Sequence, residues 1–330
     1  MSMTPEQEAL LIFTRHQFPS LAEAPCEVQA ILKGGSDRRF YRLNWGARHP
    51  PMVLMVYTMA RRDNPKFVPA THRLAALDVH VPRVFAFDED RLCVWLEDLG
   101  CVDLHSLGDR PWTERLPGYQ ATLREAAKIH SVRDERLSDA DRAELEPPFD
   151  EDLYDWEQNY FLDHFVKGHL NRDFLTAEFA PAHAALKELR KKLAALPRCL
   201  VHRDFQSQNV LLRDGAAWLV DYQGLRPGLA EYDIASLLYD PYVTLSDAER
   251  EELLRYYAGL RHVPYDSMRE TFLLCAAQRL MQALGAYANL SRNLGKPHFK
   301  DHIPAAVENL ALVCDSSPML GPLLPLFVTA

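Results

Sequence analysis

The stretch from Leu200 to Gly224 constrains this chain more than any other. Two apolar runs, Leu200-Val201 and Val210-Leu211-Leu212, flank a polar loop, His202-Arg203-Asp204-Phe205-Gln206-Ser207-Gln208-Asn209. A turn signal follows in Arg213-Asp214-Gly215-Ala216. A second β-prone run, Ala217-Trp218-Leu219-Val220, then ends at Asp221-Tyr222-Gln223-Gly224. Asp-Gly between two such runs predicts a tight hairpin. The hairpin returns the chain on itself, so Asn209 and Asp221 emerge at the same end. Any one of His202, Asp204 or Asn209 reads as an ordinary turn residue. The ordered set, with strands on both sides and a second acid where the hairpin closes, reads as a site.

The rest of the chain supplies a scaffold large enough to hold such a site. Its 330 residues suffice for two domains or one two-lobed unit, and 48% are hydrophobic against 25% charged, as in a folded soluble protein. The formal net charge of −9 speaks against nucleic acid, whose phosphates attract basic faces. The six cysteines form no C-x-x-C pair and no zinc spacing, so they read as small core hydrophobes in a reducing compartment. No signal-peptide pattern opens the sequence and no apolar run approaches the ~20 residues that span a bilayer. A cytoplasmic protein that avoids membranes and is monomeric or weakly dimeric is expected.

Periodicity divides the chain in two. Thr4-Pro5-Glu6-Gln7 has the form of a capping box opening a helix to about Gln17. Val28–Leu32, Arg39–Leu43 and Met52–Tyr57 read as strands, followed by a helix over 65–77 and strands over 83–87 and 92–96. Beyond Asp98-Leu99-Gly100 the helical period dominates, over 113–131, 151–168, 172–195, 247–260, 265–294 and 301–314. Residues 1–97 are expected to form a β-rich N-lobe that binds nucleotide. Residues 98–330 are expected to form a mainly helical C-lobe carrying the catalytic loop and substrate-binding helices.

The loop fits the kinase pattern H-R-D-x-x-x-x-N, and Asp221-Tyr222-Gln223-Gly224 fits a D-x-x-G variant of D-F-G. The segment resembles the aminoglycoside phosphotransferase/choline kinase-like superfamily. The chain as a whole resembles the bacterial kinases that phosphorylate N-acetylmuramate and N-acetylglucosamine at C1. The resemblance runs through Gly35-Ser36-Asp37-Arg38-Arg39-Phe40-Tyr41-Arg42, Val81-Pro82-Arg83-Val84, Leu96-Glu97-Asp98-Leu99-Gly100, the two loop motifs, Tyr232–Tyr242 and Arg279–Gly285. It implies an α+β, protein-kinase-like two-lobed fold. The implied activity is ATP- and Mg²⁺-dependent phosphorylation of a small sugar, with a place in cell-wall sugar salvage.

The chemistry assigns roles. Phosphoryl transfer needs a carboxylate beside the attacking hydroxyl, which Asp204 supplies, and hard oxygen ligands for Mg²⁺, which Asn209 and Asp221 supply. The resemblance makes Asp233 an anchor of the catalytic loop together with His202, and makes Glu97, Asp98 and Leu99 the hinge that meets the adenine. Gly34, Gly35, Ser36 and Asp37 form a turn able to fold over phosphates. One element of the wider pattern is absent. The third strand has no lysine and no glutamate lies between Ala60 and Phe87, so Arg39 or Arg42 is expected to supply the missing phosphate charge. Arg203 and Gln206 lie beside the acceptor by their place in the loop. Trp156 and Glu157 are expected to share a helical face with Tyr160 and His164 and to meet the sugar. The basic stretch Lys296-Pro297-His298-Phe299-Lys300 is a further candidate. An aminoglycoside, choline-like alcohol or homoserine remains an alternative acceptor, and a non-catalytic kinase-fold binding protein a second alternative.

Overall fold

The computed structural model describes residues 3–32 and 37–328. Helix α1 (Pro5–Gln17) starts at the capping box read from the sequence: Thr4 Oγ1 accepts from Gln7 N–H, and Gln7 Oε1 accepts from Thr4 N–H at 2.8 Å. An antiparallel sheet follows, built from β1 (Glu27–Ile31), β2 (Arg39–Asn44), β3 (Met52–Val56), β4 (Val84–Asp88) and β5 (Cys93–Glu97) in the order β1-β2-β3-β5-β4. Side-chain alternation on β2 sends Tyr41 and Leu43 into an apolar cluster beneath α1, which includes Leu11, Trp45 and Trp95. Phe40 and Arg42 project to the opposite face, which looks into the cleft. β3 and β5 are covered on both faces and read as continuous apolar runs. Fully buried Trp95 donates from Nε1 to Thr14 Oγ1 at 3.0 Å, fixing α1 on the sheet. Helix α2 (Phe67–Ala76) crosses toward the second lobe.

The second lobe is helical, with α3 (Trp112–His130), α4 (Asp139–Glu144), α5 (Glu151–Phe161), α6 (Ala180–Ala195), α7 (Ala230–Leu238), α8 (Asp247–Arg261), α9 (Tyr265–Asn293) and α10 (Ile303–Asp315). Into it are set two short antiparallel pairs, β6 (Cys199–Val201) with β9 (Arg226–Gly228), and β7 (Val210–Arg213) with β8 (Ala216–Leu219). Helix α9 runs through the middle and packs on α5, α7 and α10. Where α9 crosses α5, Gly285 has no alternative. A Cβ there would lie 2.8 Å from Tyr160 Cδ1 and 2.9 Å from the Tyr160 carbonyl oxygen. Immediately beyond this crossing α5 widens to π-helical turns over Leu162–His169, where a regular helix was expected to 168.

The fold is the expected two-lobed α+β arrangement, and the lobes are joined by more than the chain. Tyr222 stacks on Phe67 of α2 with ring centroids 5.0 Å apart, and its hydroxyl meets Thr71 Oγ1 at 2.8 Å. Helix α7 was not anticipated. All but one of its residues are buried, so it shows no amphipathic period, and no side chain caps its start.

Candidate active site

The hairpin β7–β8 pairs Val210 with Leu219, and Val220 N–H donates to the Asn209 carbonyl at 3.0 Å. Asn209 and Asp221 therefore sit together at the mouth of the hairpin. Asp221 adopts φ +65°, as Arg203 adopts φ +80°. Non-glycine residues pay strain for this region, and it persists where surrounding bonds over-determine it. The surrounding bonds are identifiable. Buried Asp233, on α7, accepts the N–H groups of His202 at 2.7 Å and Arg203 at 2.8 Å. It also meets His130 Nε2 at 2.9 Å, while His130 Nδ1 lies 2.6 Å from the Tyr257 hydroxyl, which accepts from Arg261 Nη1. Burial holds the His130 pKa below its ordinary value, and a neutral ring with its proton on Nε2 would satisfy both contacts. A second buried carboxylate, Asp240, accepts both the N–H (2.8 Å) and the hydroxyl (2.5 Å) of Ser207. His202 Nε2 contacts the Val220 carbonyl at 3.1 Å, tying the loop to the residue before Asp221.

Asp204 lies between these anchors. Burial pushes its carboxyl up, but the guanidiniums of Arg203 and Arg279 outweigh that and hold it down at about 2. Arg203 Nη1 reaches Asp204 Oδ2 at 2.5 Å. Asn209 donates from Nδ2 to the Asp204 carbonyl at 2.9 Å, which leaves its Oδ1 as a hard ligand. Among the described residues no group of three or more His, Cys, Asp or Glu could cage a metal. An amide oxygen and a carboxylate at one hairpin mouth instead fit Mg²⁺, which dehydrates reluctantly and completes its shell with water and phosphate.

On one side of Asp221 opens a slot of about 230 Å³, walled by Phe40, Val53, Leu96, Leu211 and Val220 and edged by residues 97–101. Its apolar faces suit a flat ring and its edge offers backbone groups. Arg42 reaches this edge but clamps it. Its Nε and Nη2 bind the Asp98 carboxylate at 2.6 and 3.0 Å, and Nη2 also bonds the Gly100 carbonyl. Glu97 pairs with Arg213 at 2.8 Å, and Leu99 is buried. Arg39 is not brought to the cleft: strand alternation turns it toward α1, where it pairs with Glu6. The guanidinium that does arrive belongs to Arg38, which pairs with Asp221 and donates to Gln223 Oε1 at 2.6 Å. Asp37 is bonded by Thr58 and Asn64, bracing the start of β2 against the chain after β3. The candidate residues Gly34, Gly35 and Ser36 lie outside the described residues.

On the other side of Asp204 lies a cavity of about 650 Å³. Gln206, Arg203 and Arg279 line it near the carboxylate. Exposed Trp156 stacks on Tyr160 (5.1 Å, 14°), and Tyr160 meets His164 edge-on at 4.6 Å. Glu157 departs from the expected shared face. One position round α5 from Trp156, it points into the lobe, accepting from the Tyr232 hydroxyl at 2.9 Å and Gln278 Nε2 at 3.1 Å. Burial raises its pKa. The stretch after Lys296 forms a 3₁₀ turn over Pro297–His302 that places His298, Phe299 and His302 in the cavity wall, with Tyr242 and His302 rings 4.4 Å apart. Sequence reasoning gave no anchoring or cationic role to Asp240, His130 or Arg38, although Asp240 and Arg38 lie in the resembling stretches. The first two carry no local pattern. Arg38 would have needed the strand phase that Tyr41 and Leu43 set.

A family profile described as "Phosphotransferase enzyme family" matches residues 27–270. The chain belongs to that family. N-acetylmuramate/N-acetylglucosamine kinase of Pseudomonas aeruginosa is 27% identical over 307 residues, covering 91% of this phosphotransferase and 87% of the relative. The enzyme of the same name from Neisseria meningitidis serogroup B is 29% identical over 260 residues, covering 76% and 75%. Among solved structures, choline kinase of Cryptosporidium parvum superposes with a TM-score of 0.65 over 97% of this chain and 99% of its own, at 13% identity. The two-lobed kinase-like fold and the family read from the sequence are thus borne out. No described helix of the phosphotransferase is long and apolar enough to cross a membrane.

Proposed function

We propose that this phosphotransferase is an ATP- and Mg²⁺-dependent kinase that transfers the γ-phosphoryl group to the C1 hydroxyl of a free amino sugar of the N-acetylmuramate or N-acetylglucosamine type, in cell-wall sugar salvage. The observation that carries the acceptor class is the charge of the 650 Å³ cavity. Three guanidiniums (Arg61, Arg203, Arg279) and three histidines face it, against Asp204, Asp221 and Asp103. Two of those aspartates belong to the reaction, so little carboxylate remains for a polycationic or quaternary-ammonium acceptor. A neutral or anionic sugar fits, with its C–H face on Trp156. The names of the relatives point the same way.

Asp204 orients the attacking hydroxyl. With its carboxyl held at about 2 it is a weak base, and it takes the proton late, as the bond to phosphorus forms, which suits a loose transition state. The hydroxyl at a sugar's anomeric carbon is more acidic than an ordinary alcohol and asks less of such a base. Arg203 keeps Asp204 ionised and in place. Asn209 and Asp221 would hold the metal, which when bound would neutralise charge on the transferred group. The apolar slot takes the adenine and Glu97–Leu99 present backbone groups at its edge. Residues 1–97 act as the nucleotide lobe and 98–330 as the catalytic lobe.

The test is ATP consumption against a panel of free amino sugars, aminoglycosides, choline and homoserine, with Asp204→Asn as control and ³¹P NMR of the product. A sugar 1-phosphate is expected. Turnover confined to cationic acceptors, or phosphate at another hydroxyl, overturns the acceptor assignment. A folded protein that binds ATP and turns over nothing on the panel overturns the kinase itself.

A further inference from the structure

The lysine–glutamate pair of kinase N-lobes has no counterpart on β3 or α2, yet a buried cation does reach the phosphate end of the cleft. Arg38, at the head of β2, has a side chain only 4% exposed, whereas its partner Asp221 is 34% exposed. Its Nη2 pairs with Asp221 Oδ1 and its Nη1 donates to Gln223 Oε1 at 2.6 Å, while Gln223 Nε2 donates to the same Asp221 oxygen at 3.2 Å. Arg38 also lines the apolar slot beside Asn209 and Asp221. The neighbouring arginines are committed elsewhere, Arg39 to Glu6, Arg42 to Asp98 and Arg61 to Asp63.

A guanidinium stays charged in a protein, and a buried charge needs an opposite charge at all times. Asp221 meets that need in the nucleotide-free protein. Asp221 is also the carboxylate that a divalent cation requires. Two cations therefore compete for one carboxylate. We propose that Arg38 occupies the place of the metal at Asp221 until nucleotide binds, and then transfers its planar fork to the phosphate oxygens. The exchange leaves every buried charge paired in both states. It supplies the phosphate cation that the lysine provides elsewhere, with geometry suited to bidentate contact. The inference rests on the nucleotide and metal half of the proposed function and is independent of the acceptor.

The test uses Mn²⁺ as the metal probe, titrated into nucleotide-free protein and followed by EPR. Arg38→Ala is expected to bind Mn²⁺ about tenfold more tightly, ~1.4 kcal/mol, because the resident cation is gone. The same variant is expected to bind MgADP about tenfold more weakly by calorimetry, with adenosine affinity falling far less. Arg38→Lys keeps a cation in place and should restore the wild-type Mn²⁺ affinity in part. General damage to the lobe weakens all three ligands together, so opposite signs for Mn²⁺ and MgADP are diagnostic. Equal Mn²⁺ affinity in the wild type and a folded Arg38→Ala overturns the proposal. Where the alanine variant does not fold, Arg38→Gln takes its place under the same criterion. No sugar enters these measurements, so their failure and a failure of the acceptor assignment are told apart.

Discussion

Replacing Asp233 by asparagine isolates the contribution of the buried carboxylate that holds the catalytic loop. The carboxylate accepts three bonds, from the N–H groups of His202 and Arg203 and from His130 Nε2. An amide oxygen in the Oδ2 position can still accept from His202 and His130. The amide NH₂ then faces the Arg203 N–H, donor against donor. Losing one charge-assisted bond costs about 1.5–3 kcal/mol, and a buried donor left without an acceptor costs about 1–3 kcal/mol more. The sum, about 2.5–6 kcal/mol, is a large part of a total stability of roughly 5–15 kcal/mol. It falls on the residue whose backbone is already strained at φ +80°. The expected outcome is a lower midpoint in urea unfolding and a strongly reduced kcat, with nucleotide affinity nearly unchanged, since none of the residues that Asp233 bonds lines the slot. His130→Gln should give a milder version. A folded Asp233→Asn that loses less than about 1 kcal/mol and keeps its kcat would falsify the anchoring role.

Further outcomes are expected at the site and its supports. Asp204→Asn should lower kcat by about 10² or more while leaving MgADP binding intact. Because the Asp204 carboxyl is held at about 2, below an unfolded value of about 3.9, its ionised form adds stability above about pH 4, which is lost as pH falls toward 2. The rate should accordingly show no acid limb from Asp204 above about pH 4, and a limb that Asp204→Asn abolishes near pH 6 would contradict the assignment. Trp156→Ala should raise KM for the sugar by about tenfold with KM for ATP unchanged, consistent with an aromatic contact worth ~1 kcal/mol or more. Glu157→Gln should instead move the melting temperature and leave sugar KM alone; the reverse pattern in the two variants would exchange their roles. Gly285→Ala, forcing a Cβ to within 2.8 Å of Tyr160, should destabilise by about 1–3 kcal/mol, read as a lower midpoint in urea.

How much was legible in the sequence depended on how local each cause was. The capping box at Thr4, the alternation of Arg39–Leu43 and the Asp214-Gly215 hairpin are set by neighbours a few residues away, and each appears where the pattern placed it. Helix α7 escaped because burial on nearly every side erases the polar face that a helical period needs. Glu157 was assigned to the wrong face because adjacent helical positions diverge by about 100°, and only the packing of α5 on α9 decides which one faces the cavity. His130 and Asp240 join the site from about 100 and 33 residues away from their partners, at separations over which no spacing rule operates. Arg38 was hidden by its neighbour. Two consecutive arginines on a strand point to opposite faces, and choosing between them requires knowing which face is covered.

The two carboxylates beneath the loop have an evolutionary consequence. Asp233 lies within α7 and Asp240 just beyond its end, so one buried helix grips the loop at His202-Arg203 and again at Ser207. The walls of the 650 Å³ cavity come largely from elsewhere, from α5, α9 and residues 297–302. Substitutions in those walls can reshape what is phosphorylated without loosening the part that does the transfer. The fold thus separates an inherited engine from an exchangeable mouthpiece, and diversification of acceptor is expected to concentrate at Trp156, Tyr160, His298 and His302 while α7 stays fixed.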